Sequence, residues 1–351
     1  MDKCGIVWYN RCRPADSRGI ISVKGTYVMG KIKFTKVNDD VYFLKTPFGK
    51  QWYGIVLIKG KTPETTVLID TGANDEAVTK YLVPALKNLR MSPRHVGTVL
   101  FTHFHAENIG GVSALRRENP RIKVIVPRGY RETILNPMVS IMAIRDRFSE
   151  YNSHHHEIRG VYPDRELTEA EECGGENVVG LNAIRVSGHA DGFCWYHTDT
   201  KTLICGDLLQ GNGHKDLGRP YYTDLDGYRE TIERLKKLDD IKYMVSACEL
   251  DGLPDMIVGR DAFREALGRC EECVYEMDRA IRQLLRQGVT DVAEIAEKIS
   301  VEYTGTVPEG LTYVMQSVSE HIDDIRAQEQ RKEEERKKAE QIRSASAEDQ
   351  E

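Results

Sequence analysis

The stretch THFHAENIGG, residues 102–111, follows the apolar run HVGTVLF, which is typical of a buried β-strand. Its two histidines, His103 and His105, stand two positions apart where that strand ends. Side chains two residues apart on a strand project to the same side, so both imidazoles can reach one metal ion. The pair suggests a metal site, but ligands from other parts of the chain are needed to complete one.

Two later segments supply such ligands. His189 lies in VSGHADG and Asp207 in LICGDLL, and each follows an apolar, strand-like run. Loops that follow neighbouring strands converge on one edge of a sheet, so we predict that these side chains meet His103 and His105 around a common cation. The alternative is that the histidines are only polar residues of the core.

The pattern around these segments predicts an α/β fold with two sheets. Residues 31–60 read as successive antiparallel strands rich in β-branched and aromatic residues, divided by Asn, Asp, Pro and Gly. From TTVLIDTG onward, apolar strands alternate with helical spacing. Paired strands followed by strand–helix alternation predict two sheets covered by outer helices.

Beyond about residue 254 the strand signal stops and helix formers dominate. We predict a helical domain over residues 255–326 and a charged tail over 327–351 that is helical or disordered, with Glu333 and Lys337 spaced for an ion pair. Residues 31–254 are then the main domain and residues 1–30 an N-terminal extension.

These segments together resemble the metallo-β-lactamase superfamily, whose hallmark is HxHxDH with two glycines soon after, then a distal His, a bridging Asp and a final His. The resemblance implies an αββα sandwich, here with a C-terminal helical extension. It implies a first metal site of His103, His105 and His189, with Asp207 as the bridging ligand. Asp70, in LIDTG, would lie in a second layer beneath the ligands.

The sequence departs from this hallmark at the second metal site. Glu107 and Asn108 stand where the family has Asp and His, and Cys248 in SACELDG is nearest to the final His. Glu107 and Cys248 are acceptable metal ligands, whereas an amide is a poor ligand for zinc. We expect one or two divalent ions, with one favoured over two. Zinc is the first choice, and iron and manganese are alternatives.

A metal with an open position acidifies water and polarises carbonyl groups, which predicts a hydrolase of a small ester, thioester or lactone. Glu107 would orient or deprotonate the water and Asn108 would donate a hydrogen bond to an oxyanion. The segment GHKDLGRPYYTD resembles the pocket border of thioesterase-like members. Arg219 would bind an anionic group there unless it pairs with Asp224 or another carboxylate, and Tyr221 or Tyr222 would cover the substrate.

Two other functions remain open at this point. Persulfide dioxygenases of the superfamily hold one iron with two His and one Asp, and His103, His189 and Asp207 match that set, which would make the protein an oxidoreductase. An RNA-processing or non-catalytic protein of the same fold is the third possibility.

The composition limits the kinds of partner that the protein is expected to bind. A net charge of −6 and an isoelectric point near 6.0 make nucleic acid an unexpected partner, so a small-molecule substrate is expected, and a homo-oligomer is possible. The sequence has no long apolar run and no secretory signal pattern, so no membrane association and a cytoplasmic location are expected. The eight cysteines are dispersed, and most are expected to be reduced thiols.

Overall fold

A computed structural model describes residues 32–49, 51–139, 142, 158–214, 216 and 218–348. The expected N-terminal extension, residues 1–30, lies outside the described residues, as do the last three residues of the expected tail. The elements from Ile32 onward form one compact unit.

The first sheet begins with antiparallel strands and continues with parallel ones. β1 to β4 pair in antiparallel order, and β4 to β7 pair in parallel. The strands are β1 (Thr35–Lys36), β2 (Val41–Phe48), β3 (Gln51–Ile58), β4 (Val67–Ile69), β5 (Thr98–Leu100), β6 (Lys123–Val126) and β7 (Arg165–Glu166).

The second sheet has the order β12-β11-β10-β9-β8. Its pairs are antiparallel except for β10 with β11. The strands are β8 (Leu181–Val186), β9 (Gly192–His197), β10 (Thr202–Gly206), β11 (Tyr243–Ser246) and β12 (Met256–Val258).

Alternation along β2 shows how the sheets are layered. Val41 and Phe43 pack in the core between the two sheets, together with Phe193 and Trp195 of β9. Leu44 points to the opposite face and packs under the outer helices of the first sheet. Because a strand directs alternate side chains to opposite faces, one strand serves both layers.

Helices cover the outer face of each sheet, which confirms the predicted αββα sandwich with a C-terminal helical extension. Helix α1 (Val83–Asn88) continues a π-helical turn, Ala77–Leu82. The other α-helices within the described residues are α2 (Ala106–Ile109), α3 (Val112–Glu118), α4 (Arg131–Leu135), α5 (Glu169–Glu172), α6 (Leu225–Lys236), α7 (Arg260–Arg286), α8 (Val292–Thr304) and α9 (Leu311–Glu348).

The C-terminal helices share one hydrophobic core with the second sheet. Val314 and Val318 of α9 belong to the same buried cluster as Leu203 of β10 and Leu235 of α6. The sheet itself continues past residue 254, because β12 pairs with β11. β12 has only three residues and all are apolar, so the alternation of its buried Ile257 with the exposed residues on either side cannot be seen in the sequence.

The charged tail continues α9 as a helix as far as residue 348. The Glu333 carboxylate lies 3.6 Å from the Lys337 amine, as the spacing predicts, and also bonds Arg336. Among the helices of the described chain, none is long and apolar enough to cross a bilayer.

Candidate metal centre

The tight approach of two chain segments brings the candidate ligands together. Thr102 follows β5, and its carbonyl accepts a hydrogen bond from Phe193 N at the start of β9 (2.8 Å). Gly206, at the end of β10, has a φ of +59°, and a Cβ there would lie 2.4 Å from Thr102 Oγ1. A glycine at this position therefore lets Asp207 follow directly beside His103.

Three imidazoles form the centre of the site. The donor nitrogens of His103, His105 and His189 all lie within 4.8 Å of one another. The His103 and His105 rings are edge-on at 4.5 Å between centroids, and His103 Nε2 lies 3.0 Å from His105 Nδ1. Burial lowers the pKa of both His103 and His105 well below the ordinary value, which keeps these rings neutral. Neutral imidazole is the form that binds metals.

Asp207 completes the cluster. Its Oδ1 lies 3.3 Å from His103 Nε2 and its Oδ2 lies 3.7 Å from His189 Nε2. Both His189 Nε2 and Asp207 Oδ1 are buried without a hydrogen-bond partner among the described residues. Buried polar atoms are normally paired, so two unpaired acceptors beside two further imidazoles fit a bound cation. The donor set suits zinc or another divalent metal.

Asp70 lies beneath the candidate ligands, in the position that the resemblance predicts for it. It is buried after β4 at a left-handed φ of 63°, and its carboxylate accepts from Thr102 N (2.8 Å) and Thr102 Oγ1 (2.7 Å). Since the Thr102 hydroxyl donates to Asp70, it accepts from His103 Nδ1 at 3.1 Å. This series of hydrogen bonds puts the ring proton of His103 on Nδ1 and leaves the lone pair on Nε2, which faces the cluster. Burial raises the pKa of Asp70 to about 7.

A backbone carbonyl orients His189 in the same way. His189 Nδ1 donates to the Tyr221 carbonyl at 2.8 Å, which leaves the Nε2 lone pair for a metal. The Tyr221 ring stacks on His105 at 5.8 Å and meets the Tyr313 ring edge-on at 5.1 Å. Tyr221 therefore contacts the site through both its backbone and its ring.

Glu107 lies in α2, with its Oε1 3.8 Å from His105 Nδ1 and its side chain in the cavity wall. Burial, and secondarily the Asp207 charge, raises the pKa of Glu107 to about 8. Its position beside the imidazoles is compatible with proton transfer.

The structure places Asn108 elsewhere than expected. Its amide nitrogen donates to Asp70 Oδ2 (3.1 Å) and Thr102 Oγ1 (3.4 Å), and its side chain is buried away from the cavity lining. Both amide hydrogens are thus engaged, so Asn108 is not available to an oxyanion. It extends the hydrogen-bond network under His103 instead.

Cys248 reaches the cavity wall but not the imidazole group. Its backbone pairs with that of Tyr53 in a single antiparallel β-bridge that joins the two sheets. Its side chain lines the cavity, and burial raises the pKa of its thiol well above the ordinary value. Within the described chain, the three histidines form the group whose donor atoms all lie within 4.8 Å of one another. Asp207, Glu107 and Cys248 are outside that group, although Asp207 Oδ1 lies 3.3 Å from His103 Nε2. A second ion at these residues stays a prediction.

The site opens into a cavity of about 920 Å³. Arg219 lies in its wall, bonded to Glu276 at 3.3 Å and stacked 4.6 Å from the Tyr303 ring centre. The carboxylate that pairs with Arg219 is thus Glu276, whereas Asp224 caps α6 through Gly227 N.

Tyr222 is a core residue and cannot cover a substrate. Its ring is fully buried outside the cavity lining, and its hydroxyl lies 2.6 Å from His321 Nε2. Adjacent residues in an extended segment point in opposite directions, so Tyr221 faces the cavity and Tyr222 faces the core.

Part of the cavity wall was missed by reasoning from the sequence. Tyr313 and Gln316, three residues apart on one face of α9, line the cavity almost a hundred residues after Tyr221. Tyr53, on β3, also lines the cavity. In the sequence, the α9 pair is marked only by its three-residue spacing, which puts both side chains on one helix face. Residues that pack in the core have the same spacing, so the spacing does not identify a cavity wall.

Comparison with known proteins identifies the family to which this fold belongs. A family model described as the metallo-beta-lactamase superfamily matches residues 55–245. The probable metallo-hydrolase YqjP of Bacillus subtilis is 25% identical over 57% of this chain and 69% of its own length. The lactamase-like protein aptB of Emericella nidulans is 22% identical over 73% of this chain and 72% of its own. A metallo-beta-lactamase family protein of Thermus thermophilus has the same fold, with a TM-score of 0.60 at 17% identity over 81% of this chain and 93% of its own.

Proposed function

The chain belongs to the metallo-beta-lactamase superfamily, and we propose that within it the protein is a metal-dependent hydrolase of a small ester, thioester or lactone. The observation that supports this most is the cluster of His103, His105, His189 and Asp207, of which all but the fully buried His103 line a large cavity. The superfamily binds divalent metals, and many members are hydrolases. The fold alone does not select a substrate, so the substrate class has to be inferred from the side chains that line the cavity.

The metal would be held by the three imidazoles and Asp207, with zinc as our first choice and one ion favoured over two. When bound, a divalent cation supplies Lewis acidity to water and to a substrate carbonyl. The hydrogen bonds from His103 to Thr102 and from His189 to Tyr221 fix both rings in the tautomer that binds metal.

Glu107 is the side chain we assign to proton transfer. Its carboxylate lies at the cavity wall beside His105, within reach of a water molecule placed between the imidazoles and the substrate. In this role its ionised form, which the charge of a bound divalent cation would favour, accepts a proton from the water as the carbonyl is attacked and returns it to the leaving group.

The substrate would lie against Tyr221, whose ring covers His105 and His189. Aromatic side chains of the wall, including Phe104, Tyr130 and Tyr313, offer apolar contact to an acyl or aryl group. Arg219 would attract an anionic part of the substrate.

Replacement of the ligands tests the proposal. His103→Ala and His189→Ala should each lower bound metal to well under half an equivalent and reduce turnover of aryl esters and thioesters by at least about a hundredfold. His95→Ala is the control, because this exposed histidine bonds Ser92 and lies outside the cavity lining. Unchanged metal content and turnover in the two ligand variants would refute the proposal.

Metal analysis of protein purified without added metal separates hydrolysis from the oxidoreductase alternative. An iron dioxygenase needs a set of two His and one carboxylate with open positions, whereas here His105 joins the cluster as a third imidazole. We expect zinc or manganese and ester or thioester hydrolysis. Iron together with oxygen uptake would favour oxidation.

A further inference from the structure

A buried glutamine connects two backbone segments of the cavity wall. Gln210 lines the cavity, only 5% of its surface is exposed, and it follows Asp207 by three residues. Its side-chain Nε2 donates to the Asp207 carbonyl at 2.5 Å, and its Oε1 accepts from Tyr221 N at 3.2 Å. Both segments carry part of the candidate metal centre, because Asp207 is a candidate ligand and the Tyr221 carbonyl holds His189.

The two hydrogen bonds fix the orientation of the Gln210 amide. A backbone carbonyl can only accept and a backbone N–H can only donate, so Nε2 has to face Asp207 and Oε1 has to face Tyr221. Among the described residues, no other hydrogen bond is seen for the Asp207 carbonyl or for Tyr221 N. Backbone groups that lose their partner away from water cost free energy, so both groups favour the conformation in which Gln210 bonds them.

The backbone of Gln210 is itself held on both sides. Its N–H donates to the hydroxyl of Tyr228, a fully buried residue of α6, at 2.9 Å, and its carbonyl accepts from Gly213 N at 2.8 Å. Because the main chain and the amide are both held, the side chain is a rigid connection. The separation of the Asp207 carbonyl from Tyr221 N is therefore set by the length of one glutamine side chain.

Gln210 completes a closed ring of contacts that includes two candidate ligands. His189 Nδ1 donates to the Tyr221 carbonyl at 2.8 Å, and Asp207 Oδ2 lies 3.7 Å from His189 Nε2. Gln210 closes the ring, because it joins Tyr221 N to the Asp207 carbonyl. In a closed ring the position of each member restricts the others. A change at Gln210 is therefore expected to displace His189 and Asp207 together.

We propose that Gln210 is a positioning residue, which sets the separation of His189 and Asp207 and so raises the affinity of the site for a divalent cation. This inference rests on the metal binding that the proposed function requires, and it adds a residue outside the ligand set. Gln210 acts through the backbone of Asp207 and Tyr221. Groups that orient metal ligands in this indirect way typically contribute roughly 10–100-fold to metal affinity.

Zinc affinity, measured by competition with a chromophoric chelator, tests the effect on the site. Gln210→Met keeps the length of the side chain but removes both bonds, so affinity should fall at least about tenfold. Gln210→Asn, whose amide is too short to reach both groups, should behave alike and keeps a polar side chain if the methionine variant does not fold. Gln328→Met is the control, because this glutamine bonds Arg282 and Asp324 outside the cavity lining. Wild-type affinity in Gln210→Met would overturn the positioning role.

NMR of the histidine ring protons in the protein as purified tests the positioning role apart from metal binding. The wild-type protein should show a slowly exchanging His189 Nδ1–H signal, identified by its absence in His189→Ala. The signal should be lost in Gln210→Met but kept in Gln210→Glu, whose carboxyl group has the same length and retains an acceptor for Tyr221 N. This pattern in a protein that binds no metal would refute the proposed function but support the positioning role. Absence of the signal from the wild-type protein, or an unchanged signal in Gln210→Met, would overturn the positioning role.

Discussion

At the scale of single residues, hydrogen bonds on the far side of two imidazoles decide which nitrogen faces the cluster. His103 is held by Thr102, which is itself bonded to Asp70, and His189 is held by the Tyr221 carbonyl. The positions of the candidate ligands were predictable because each follows an apolar strand. The roles of Asn108 and Tyr222 were not, since they depend on where a side chain points within a turn or an extended segment.

Thr102 provides a test of the link between Asp70 and His103. Thr102→Val keeps the shape but removes the hydroxyl, so His103 Nδ1 loses its partner and metal affinity should fall by roughly 10–100-fold. Thr102→Ser keeps the hydroxyl and should stay close to wild type. Affinity is measured by competition with a chromophoric chelator. An affinity for Thr102→Val equal to that of Thr102→Ser would contradict the role of the hydroxyl.

At the scale of elements, α9 is connected to the candidate metal centre through a short backbone segment. Ser317 Oγ donates to the Pro220 carbonyl (2.8 Å) and accepts from Tyr222 N (2.9 Å), on either side of Tyr221. The Tyr221 carbonyl holds His189. The sequence predicted a helix here, but it could not predict this contact, because the partners are almost a hundred residues apart.

Removal of the Ser317 hydroxyl should therefore affect both stability and metal binding. Ser317→Ala leaves buried backbone groups unpaired, so the free energy of unfolding should fall by about 1–3 kcal/mol, and metal affinity should fall as His189 loses its orientation. Ser300→Ala is the matched control, since that serine is equally buried and its hydroxyl has no partner among the described residues. Chemical denaturation and the chelator competition measure the two effects. Equal behaviour of the two variants would contradict the link.

At the scale of the whole molecule, the C-terminal helices belong to the same core as the second sheet and complete the cavity wall. Val314, Val318 and Ile322 of α9 are buried in that core, and Tyr313 faces the cavity. The layers of the sandwich could be predicted from strand and helix periodicity. The shared core and the composite wall could not, because periodicity shows that a helix has an apolar face but does not show what that face contacts.

Two truncations test whether the first part of α9, which packs in the core, is needed for stability while its charged end is not. A chain that ends at residue 330 loses, among the described side chains, mainly exposed ones and surface ion pairs, which are worth about 0–1 kcal/mol each, so its melting temperature should change little. A chain that ends at residue 310 loses the buried face of α9 and should fail to give a cooperative thermal transition. Cooperative unfolding of the shorter chain at the wild-type temperature would contradict the shared core.

The central claim is that four side chains hold one divalent cation, and anomalous scattering at the absorption edge of the metal tests it most directly. Crystals of protein purified without added metal should give an anomalous peak roughly 2.0–2.2 Å from His103 Nε2, His105 Nδ1, His189 Nε2 and a carboxylate oxygen of Asp207. The absence of a peak among these four residues, in crystals of active protein, would contradict the account.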